Sequence, residues 1–469
     1  MTLNEILLGI NDPYTIVGDK NIEIKDVSLS SFHIVSGTCF FAINGVKSDG
    51  HDFIDNVISK GAVCIVCQVL PEKLQDGVTY ILTDDSSLFV GPMAANFYGN
   101  PSKKLKVIGV TGTNGKTTIA TMVYKMLIGF MRKSSILSTN GDFINDEIYS
   151  FKRESPTTPD AIFIQKFFKN SLDAGCDYVV MEVSSHSVVQ HRINGINFTG
   201  AVFTNLSHDH LDYHHTIENY ALAKKGFFDI LPETSFAVIN IDDSYGRYMV
   251  LDSKAKIYTY GFNGTADYSE IIDSQLIGHF NEYNTLAVYV VGELLGFDKT
   301  HIKKIIKSLT VRGRFELVYN NFGIRVVVDY AHTPDGVENV LETARNLIKD
   351  NGRLITIMGC GGDRDSAKRP VMGRLAYDLS DILIITSDNP RTEDPEIIIN
   401  EIKKGLPDEI TKQVVFEPDR RLAIAQSKLI AKSGDVVMVL GKGHETYQEI
   451  NGVKNHFDDR EVVIEEYKD

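Results

Sequence analysis

The chain has 469 residues, with 62 acidic and 48 basic side chains and a formal charge of −14. At about 150 residues per domain this is too long for one core and predicts roughly three domains. The acidic balance disfavours nucleic acid or an anionic membrane as the main partner, and leaves an anionic small substrate open wherever basic residues converge.

Met1-Thr2-Leu3-Asn4-Glu5 lacks the basic start of a secretory signal. No apolar run approaches the roughly 18 to 20 residues needed to span a bilayer. The expectation is a cytoplasmic protein without a membrane partner. Of five scattered cysteines, Cys64 and Cys67 lie within the apolar run Ala62–Cys67 and read as buried strand residues.

Residues 1–90 alternate short apolar runs with turns such as Asn44-Gly45 and Asp49-Gly50-His51 and carry no compact catalytic cluster, as a small α/β recognition domain would. Residues 91–311 hold the apolar run Val107-Ile108-Gly109-Val110-Thr111, which breaks into Gly112-Thr113-Asn114-Gly115-Lys116-Thr117-Thr118 and then a helical pattern. Further strand runs at 177–183, 199–204 and 236–240, with helical patterns between them, predict a mostly parallel sheet. Residues 312–469 repeat the logic with strand runs at 325–329, 354–358, 382–386 and 436–440. Each ends in polar or glycine-rich residues, and in a doubly wound, Rossmann-like sheet those ends share one ligand-binding edge. The fold class is therefore α/β in three domains.

The loop after Thr111 reads as a phosphate-binding loop. Two glycines let backbone N–H groups close on phosphate oxygens, the helix N-terminus adds its dipole, and Lys116 adds a cation. Thr117 offers a hydroxyl for Mg²⁺. The longer nucleotide-binding pattern needs glycine where Val110 stands, so only the shorter form is present. Glu182 ends a strand and is placed to hold a metal beside phosphates. In Asn205-Leu206-Ser207-His208-Asp209-His210-Leu211-Asp212-Tyr213-His214-His215 the imidazole density invites a zinc reading, but His208 and His210 alternate and no cysteine is near. One histidine at a Mg²⁺ or phosphate site fits better.

These motifs, followed by Tyr220-Ala221-Leu222-Ala223-Lys224, Gly278-His279-Phe280-Asn281, Gly313-Arg314-Phe315-Glu316 and Asp329-Tyr330-Ala331-His332, occur in the order seen in Mur ligases, which the chain resembles over nearly its whole length. The resemblance implies ATP-driven amide bond formation through an acyl phosphate. Catalysis would fall to Lys116, Glu182, His210 and Lys224. Mg²⁺ would be held by Thr117 and Glu182, with His210 and a carbamylated Lys224 at a second site. In isolation Lys224, beside Lys225 in a helical stretch, reads as a surface lysine. ATP would contact Gly112 to Thr118 together with Asn281, Arg314 and Asp329, between the second and third domains.

By the same resemblance the acceptor is a UDP-N-acetylmuramoyl dipeptide. Its muramoyl-dipeptide part would meet Thr157, Thr158, Ser184, Gln190 and Arg192, in segments beginning at Ser155-Pro156 and Ser184. Relatives show Asp-Ser-Arg where this chain has Ser30-Ser31-Phe32, so Ser31 and the turn Val46-Lys47-Ser48 are the uridine-end candidates. Asp388-Asn389-Pro390-Arg391 is the motif of relatives that add meso-diaminopimelate. An arginine fork grips a carboxylate that lysine lacks. Arg364, Asp388, Asn389, Arg391, Gly441 and Glu445 would form that pocket, with Glu445 facing an ammonium; the bland alternative pairs Arg391 with Glu393 or Asp394. A monomer is expected. Competing readings are a lysine-adding member, a folylpolyglutamate synthetase and an ATP-binding switch without ligase chemistry; the module before the loop argues against the second.

Overall fold

The computed structural model describes residues 1–45, 48–150, 157–348 and 351–468. Val46 and Lys47 of the uridine-end turn, and Ser155 and Pro156 of the acceptor segment, lie outside the described residues.

Five strands, β1 (Tyr14–Val17), β2 (Asp26–Ser28), β3 (Thr38–Phe41), β4 (Ala62–Cys67) and β5 (Thr79–Thr83), form the first sheet in the order β1-β5-β4-β3-β2. Only β1 is antiparallel to its neighbour. Apolar clusters cover both faces, which is why β3 and β4 read as near-continuous apolar runs and why Cys39, Cys64 and Cys67 are buried. The helix Ser87–Phe97 supplies Phe89, Val90 and Met93 to this core. A Cβ on its Gly91 would collide with the Asn194 carbonyl, so the helix lies flush against the next domain, and a boundary at residue 90 falls within it.

The second sheet comprises β6 (Lys106–Thr111), β7 (Ser134–Ser138), β8 (Gly141–Ile144), β9 (Glu147–Ile148), β10 (Tyr178–Glu182), β11 (Phe198–Phe203), β12 (Phe236–Asn240) and β13 (Lys256–Tyr260), ordered β13-β12-β11-β6-β10-β7-β8-β9. β8 and β9 form an antiparallel edge to an otherwise parallel sheet. Along β6, Ile108 and Val110 face the helices Lys116–Gly129 and His279–Leu294, while Val107 faces the helices Ala161–Asp173 and Ile217–Asp229. Gly109 is glycine because a Cβ there would strike the Phe227 ring. That approach seats the helix carrying Lys224 against the central strand.

β14 (Glu316–Asn321), β15 (Ile324–Asp329), β16 (Leu354–Met358), β17 (Ile382–Ile385), β18 (Gln413–Phe416) and β19 (Val436–Leu440) make the third sheet, ordered β14-β15-β19-β16-β17-β18. All but β14 are parallel, and apolar cores on both faces make it doubly wound. A hairpin, β20 (Tyr447–Ile450) and β21 (Val453–His456), follows. Among the described residues no helix is long and apolar enough to cross a membrane.

Buried Arg420 ties two strand ends together, donating to the carbonyls of Ser387 and Leu440 at 3.2 and 2.9 Å while gripping Asp459 through two 2.7 Å bonds. Both partners of this ion pair are fully enclosed. At the seam between the second and third domains, Asn114 Nδ2 donates to Asp335 Oδ2 at 2.7 Å, and Arg312, where the third domain begins, pairs with Asp458 of the same domain at 2.7 Å. His332 and His444 stand in this seam, and desolvation pushes their pKa values down to about 4 and about 3.

Arg420→Met leaves the Asp459 carboxylate buried and unpaired, and is expected to cost the C-terminal domain about 3–5 kcal/mol in urea unfolding. The seam histidines set a pH dependence whose sign is definite. The unfolded chain takes up protons as pH falls through about 6.5, whereas the folded seam does so only near pH 4 and below, so stability declines as pH drops from about 6.5 to 4. His332→Gln should flatten that decline in urea titrations across this window, and an unchanged slope would refute the linkage.

Candidate active site

Because β11, β6 and β10 are adjacent and parallel, the segments following Phe203, Thr111 and Glu182 emerge side by side. Gly115 turns the loop into its helix at φ +85°, a left-handed conformation suited to glycine, and a Cβ there would lie 2.6 Å from Asn284 Oδ1. A Cβ on Gly112 would collide with the Thr204 hydroxyl. The loop is braced from β11: Thr113 N donates to the Asn205 carbonyl at 2.8 Å, Asn114 N to Asn205 Oδ1 at 2.9 Å, and the Thr204 hydroxyl to the Asn114 carbonyl at 2.6 Å. Lys116 Nζ donates to the Gly112 and Thr113 carbonyls at 2.9 and 2.8 Å. Burial lowers its pKa, with the Glu182 carboxylate opposing the shift.

Glu182 is 1% exposed, yet no cation neutralises it by direct contact among the described residues. Its oxygens accept from the Thr117 hydroxyl at 3.1 Å and from the Thr139 backbone N–H and hydroxyl at 2.7 and 3.3 Å. A buried carboxylate beside a hydroxyl at the mouth of a phosphate loop is the oxygen donor set that Mg²⁺ takes, with phosphates and water completing it. The residues fit that ion. Among the described residues no group of three or more His, Cys, Asp and Glu side chains could hold a metal by itself.

The histidines divide in their environments. His208 and His215 are exposed, whereas His214 is buried with Nε2 2.8 Å from the Ser185 hydroxyl. His210 occupies a left-handed conformation at φ +54°, and its Nε2 lies 3.4 Å from Asp209. Burial pushes His210 down to about 3 and so keeps a neutral ring nitrogen. Lys224, which reads from its local sequence as a surface residue, is 1% exposed. Its Nζ donates to the Gly112 carbonyl at 2.8 Å and sits 4.4 Å over the Tyr220 ring. Burial, reinforced by Lys116, drives its pKa well below the ordinary lysine value and favours a neutral, nucleophilic amine.

A cavity of about 150 Å³ opens between the second and third domains, with Phe280, Tyr283 and Val340 as apolar wall and Asn114, Gly115, Thr118, Asn284, Arg314, Asp329 and His332 as polar wall. Asp329 accepts the Phe315 and Ala331 N–H groups at 2.7 Å each. Burial raises its pKa against the pull of Arg314. Arg314 stacks 4.5 Å over Tyr330 and has a buried Nε without a hydrogen-bond partner, an unfilled demand for an acceptor. Asn281 stands behind this wall: its Nδ2 donates to the Ile277 carbonyl at 2.8 Å, and its Oδ1 accepts from Asn284, which does line the cavity.

On the acceptor side, the Thr158 hydroxyl donates to the Glu182 carbonyl at 2.9 Å and accepts the Ser184 N–H at 3.0 Å. Ser184 caps the helix Ser185–Val189. Arg192 donates to the Thr158 carbonyl and to Gln190, which reaches the Tyr213 hydroxyl. Thr157 lies 3.5 Å from the Thr139 hydroxyl. These side chains form one connected patch beside Glu182. Ser31 is apart from it, in the loop after β2, where its carbonyl accepts from Lys60 and the neighbouring Phe32 is 82% exposed.

At the edge of the third sheet, Arg391 adopts φ +53°, donates to the Gly362 carbonyl at 2.6 Å and lies 3.8 Å from Glu449. It pairs with neither Glu393, which Arg369 holds at 2.8 Å, nor Asp394, which caps the helix Pro395–Lys403. A Cβ on Gly361 would lie 2.9 Å from the Arg391 guanidinium and 3.8 Å from Arg364, so both arginines flank one glycine. Asn389 Nδ2 donates to Glu445 at 2.7 Å, and Lys442 Nζ stands 3.2 Å from both Asn389 Oδ1 and Glu445. Burial, then Asp388, raises Glu445. Gly441 leaves room for the Asp388 carboxylate, with which a Cβ would collide.

Motif reading passes over Thr139, Asp335 and Lys442. Thr139 and Asp335 belong to no local pattern, since each gains its partner only through tertiary packing. Lys442 stands within a strand-end motif, and its complete burial is what distinguishes it.

Comparison with known proteins agrees along the chain. Residues 110–292 match the Mur ligase middle domain, residues 313–443 the Mur ligase glutamate ligase domain, and residues 23–98 the Mur ligase family catalytic domain. The chain is 45% identical to the UDP-N-acetylmuramoyl-L-alanyl-D-glutamate–2,6-diaminopimelate ligase of Bacteroides fragilis, with 99% of each covered. It is 42% identical to the ligase of the same name from Clostridioides difficile, also with 99% of each covered. A solved structure of a ligase with that name is similar at 31% identity and a TM-score of 0.68, covering 99% of this chain and 98% of the other. A MurF ligase from Thermotoga maritima in complex with ADP shares the fold at 19% identity and a TM-score of 0.59, covering 95% and 97%. The chain belongs to the Mur ligase family.

Proposed function

We propose that this enzyme uses ATP to join meso-diaminopimelate to UDP-N-acetylmuramoyl-L-alanyl-D-glutamate, a step of peptidoglycan synthesis. The placement of Arg391 carries the choice of amino acid: its guanidinium lies against Gly361, which the aliphatic stem of Arg364 also borders, close to the acidic Asn389–Glu445 network. A diamino-dicarboxylic acid offers a carboxylate to the former and an ammonium to the latter. Lysine offers only the ammonium at its distal end.

The γ-phosphoryl group passes from ATP to the acceptor carboxylate, forming an acyl C–O–P linkage and releasing ADP. The amine then attacks the carbonyl, the C–O bond breaks, and phosphate leaves with its electron pair. The loop N–H groups from Gly112 to Thr118 cradle the phosphates, and Lys116 balances their charge. Thr117 and Glu182 would hold Mg²⁺, which would supply positive charge to offset the phosphate oxygens. Arg314, Asp329 and the wall formed by Asn284, with Asn281 behind it, take the nucleoside and phosphate. Thr157, Thr158, Ser184, Gln190 and Arg192 hold the peptide of the acceptor, and Ser31 its uridine end. His210 and Lys224 would serve a second Mg²⁺. The buried amine of Lys224 adds to CO₂ with loss of one proton, giving a carbamate whose oxygens can bind a cation. A monomer is proposed, and the nucleotide-linked acceptor fits a cytoplasmic enzyme.

With ATP and acceptor, ADP release is expected with meso-diaminopimelate and to be far slower with L-lysine, and the product mass should rise by one diaminopimelate residue. Arg391→Ala should lower kcat/KM for meso-diaminopimelate by roughly 10- to 150-fold, the worth of a charged hydrogen bond at about 1.5–3 kcal/mol, through KM. Lysine preference in the parent would overturn the assignment. Lys224→Ala should abolish ligation at every bicarbonate level while leaving nucleotide binding measurable by calorimetry, and parental activity in that variant would remove Lys224 from the site.

A further inference from the structure

Lys368 opens the helix Lys368–Leu379 of the third domain, yet its ammonium crosses the seam to stand 3.7 Å from the Asp209 carboxylate of the second. Only 12% of its side chain is exposed, and no role assigned above uses it. At this distance the pair shares charge but no hydrogen bond, a loose arrangement for an enclosed cation. Asp209 is also the carboxylate faced by Lys116 and Lys224, with His210 3.4 Å away. Lys368 and Lys116 thus place two ammonium groups about this carboxylate beside the phosphate loop, an environment that a multiply charged anion would complete.

The backbone at Lys368 is held with little freedom. Its neighbour Arg369 is 1% exposed and donates to Glu393, Glu401 and the Gly361 carbonyl at 2.8, 2.7 and 3.0 Å. Gly361 is the residue flanked by Arg391 and Arg364. Lys368 is therefore fixed to the amino-acid pocket at its base while its tip lies on the phosphate side, the one described lysine of the third domain paired with an acid of the second.

We propose that Lys368 is a further catalytic residue: with substrates bound, its ammonium exchanges Asp209 for phosphoryl oxygens of the acyl phosphate and balances the charge of the departing phosphate. This rests on the acyl-phosphate reading above. Lys368 keeps its proton throughout. The amine that forms the N–C bond loses one to the phosphate as the C–O bond breaks. Supplying the cation from the domain that carries the amine confines charge balance to the closed, fully loaded enzyme.

The test compares full-length parent, Lys368→Met and Lys368→Arg in steady-state kinetics with ATP, the muramoyl dipeptide nucleotide and meso-diaminopimelate. Borohydride trapping of the acyl phosphate is run in parallel. Lys368→Met should lose about 100-fold or more in kcat, with KM for meso-diaminopimelate within about threefold of the parent and at least as much trapped acyl phosphate, because the departing phosphate loses its counter-charge. Lys368→Arg should recover roughly a tenth of parental kcat or more, because the charge is kept. A Lys368→Met kcat near parental, a loss confined to KM for the amino acid, or a fall in trapped acyl phosphate as large as the fall in kcat overturns the proposal. If Lys368→Met does not fold, as judged by circular dichroism, Lys368→Ala is assayed with added ethylammonium: rescue of kcat supports the assignment and lack of rescue opposes it. Failure of the parent to ligate would instead strike the underlying reading.

Discussion

Positive charge is crowded beneath the phosphate loop at a density that burial alone would not tolerate. Lys116 and Lys224, from two different helices, both donate to the Gly112 carbonyl, and the charge of Lys116 adds to burial in weakening the hold of Lys224 on its proton. The loop can hold this arrangement because its own carbonyls and the π face of Tyr220 provide the acceptors. Two consequences follow from that crowding. Anionic phosphate is favoured above the loop, and a lysine below it is driven toward the neutral form that reacts with CO₂.

That crowding depends in turn on close packing far from any titratable atom. Lys224 reaches Gly112 because its helix presses Phe227 onto Gly109 of β6, where no Cβ intervenes. The loop itself is pinned by Thr204 and Asn205 at the end of β11 and by Asn284 from another helix. On the far side of the seam, Arg420 and Arg369 grip carbonyls and carboxylates that fix the strand ends. A cleft assembled from two such rigid edges can be aligned to within fractions of an ångström while the domains still move as bodies.

How much of this was legible in the sequence follows from how local each signal is. The phosphate loop occupies consecutive residues between a strand and a helix, and the alternation along β6 fixes which faces are covered, so both were readable directly. The strand-end motifs at Asp329, Gly359, Asp388 and Gly441 were readable because parallel sheets place such ends on one edge. Lys224 was not, since its local stretch resembles an exposed helix and only tertiary approach to β6 buries it. Asn281 and Asn284 are one helical turn apart, and pattern alone does not say which amide faces the cavity and which supports it. Arg391 has acids two and three residues ahead, but its left-handed backbone turns the guanidinium away from them toward Gly362 and Glu449.

Selectivity at the third-domain edge can be argued from desolvation as much as from attraction. Asn389, Lys442 and Glu445 form a closed network in which the lysine, fully buried, also donates to the Tyr447 carbonyl at 2.5 Å. Burial and Asp388 raise the Glu445 pKa, so an incoming ammonium meets a carboxylate with an acidic neighbour and one internal cation. Such a site gains from an added positive charge but would not by itself distinguish diaminopimelate from lysine. Discrimination must come from the Arg391 guanidinium beside Gly361, which a carboxylate engages and an unbranched amine does not. The penalty for the wrong amino acid is then a guanidinium left with the Gly362 carbonyl at 2.6 Å and Glu449 at 3.8 Å in place of a substrate carboxylate.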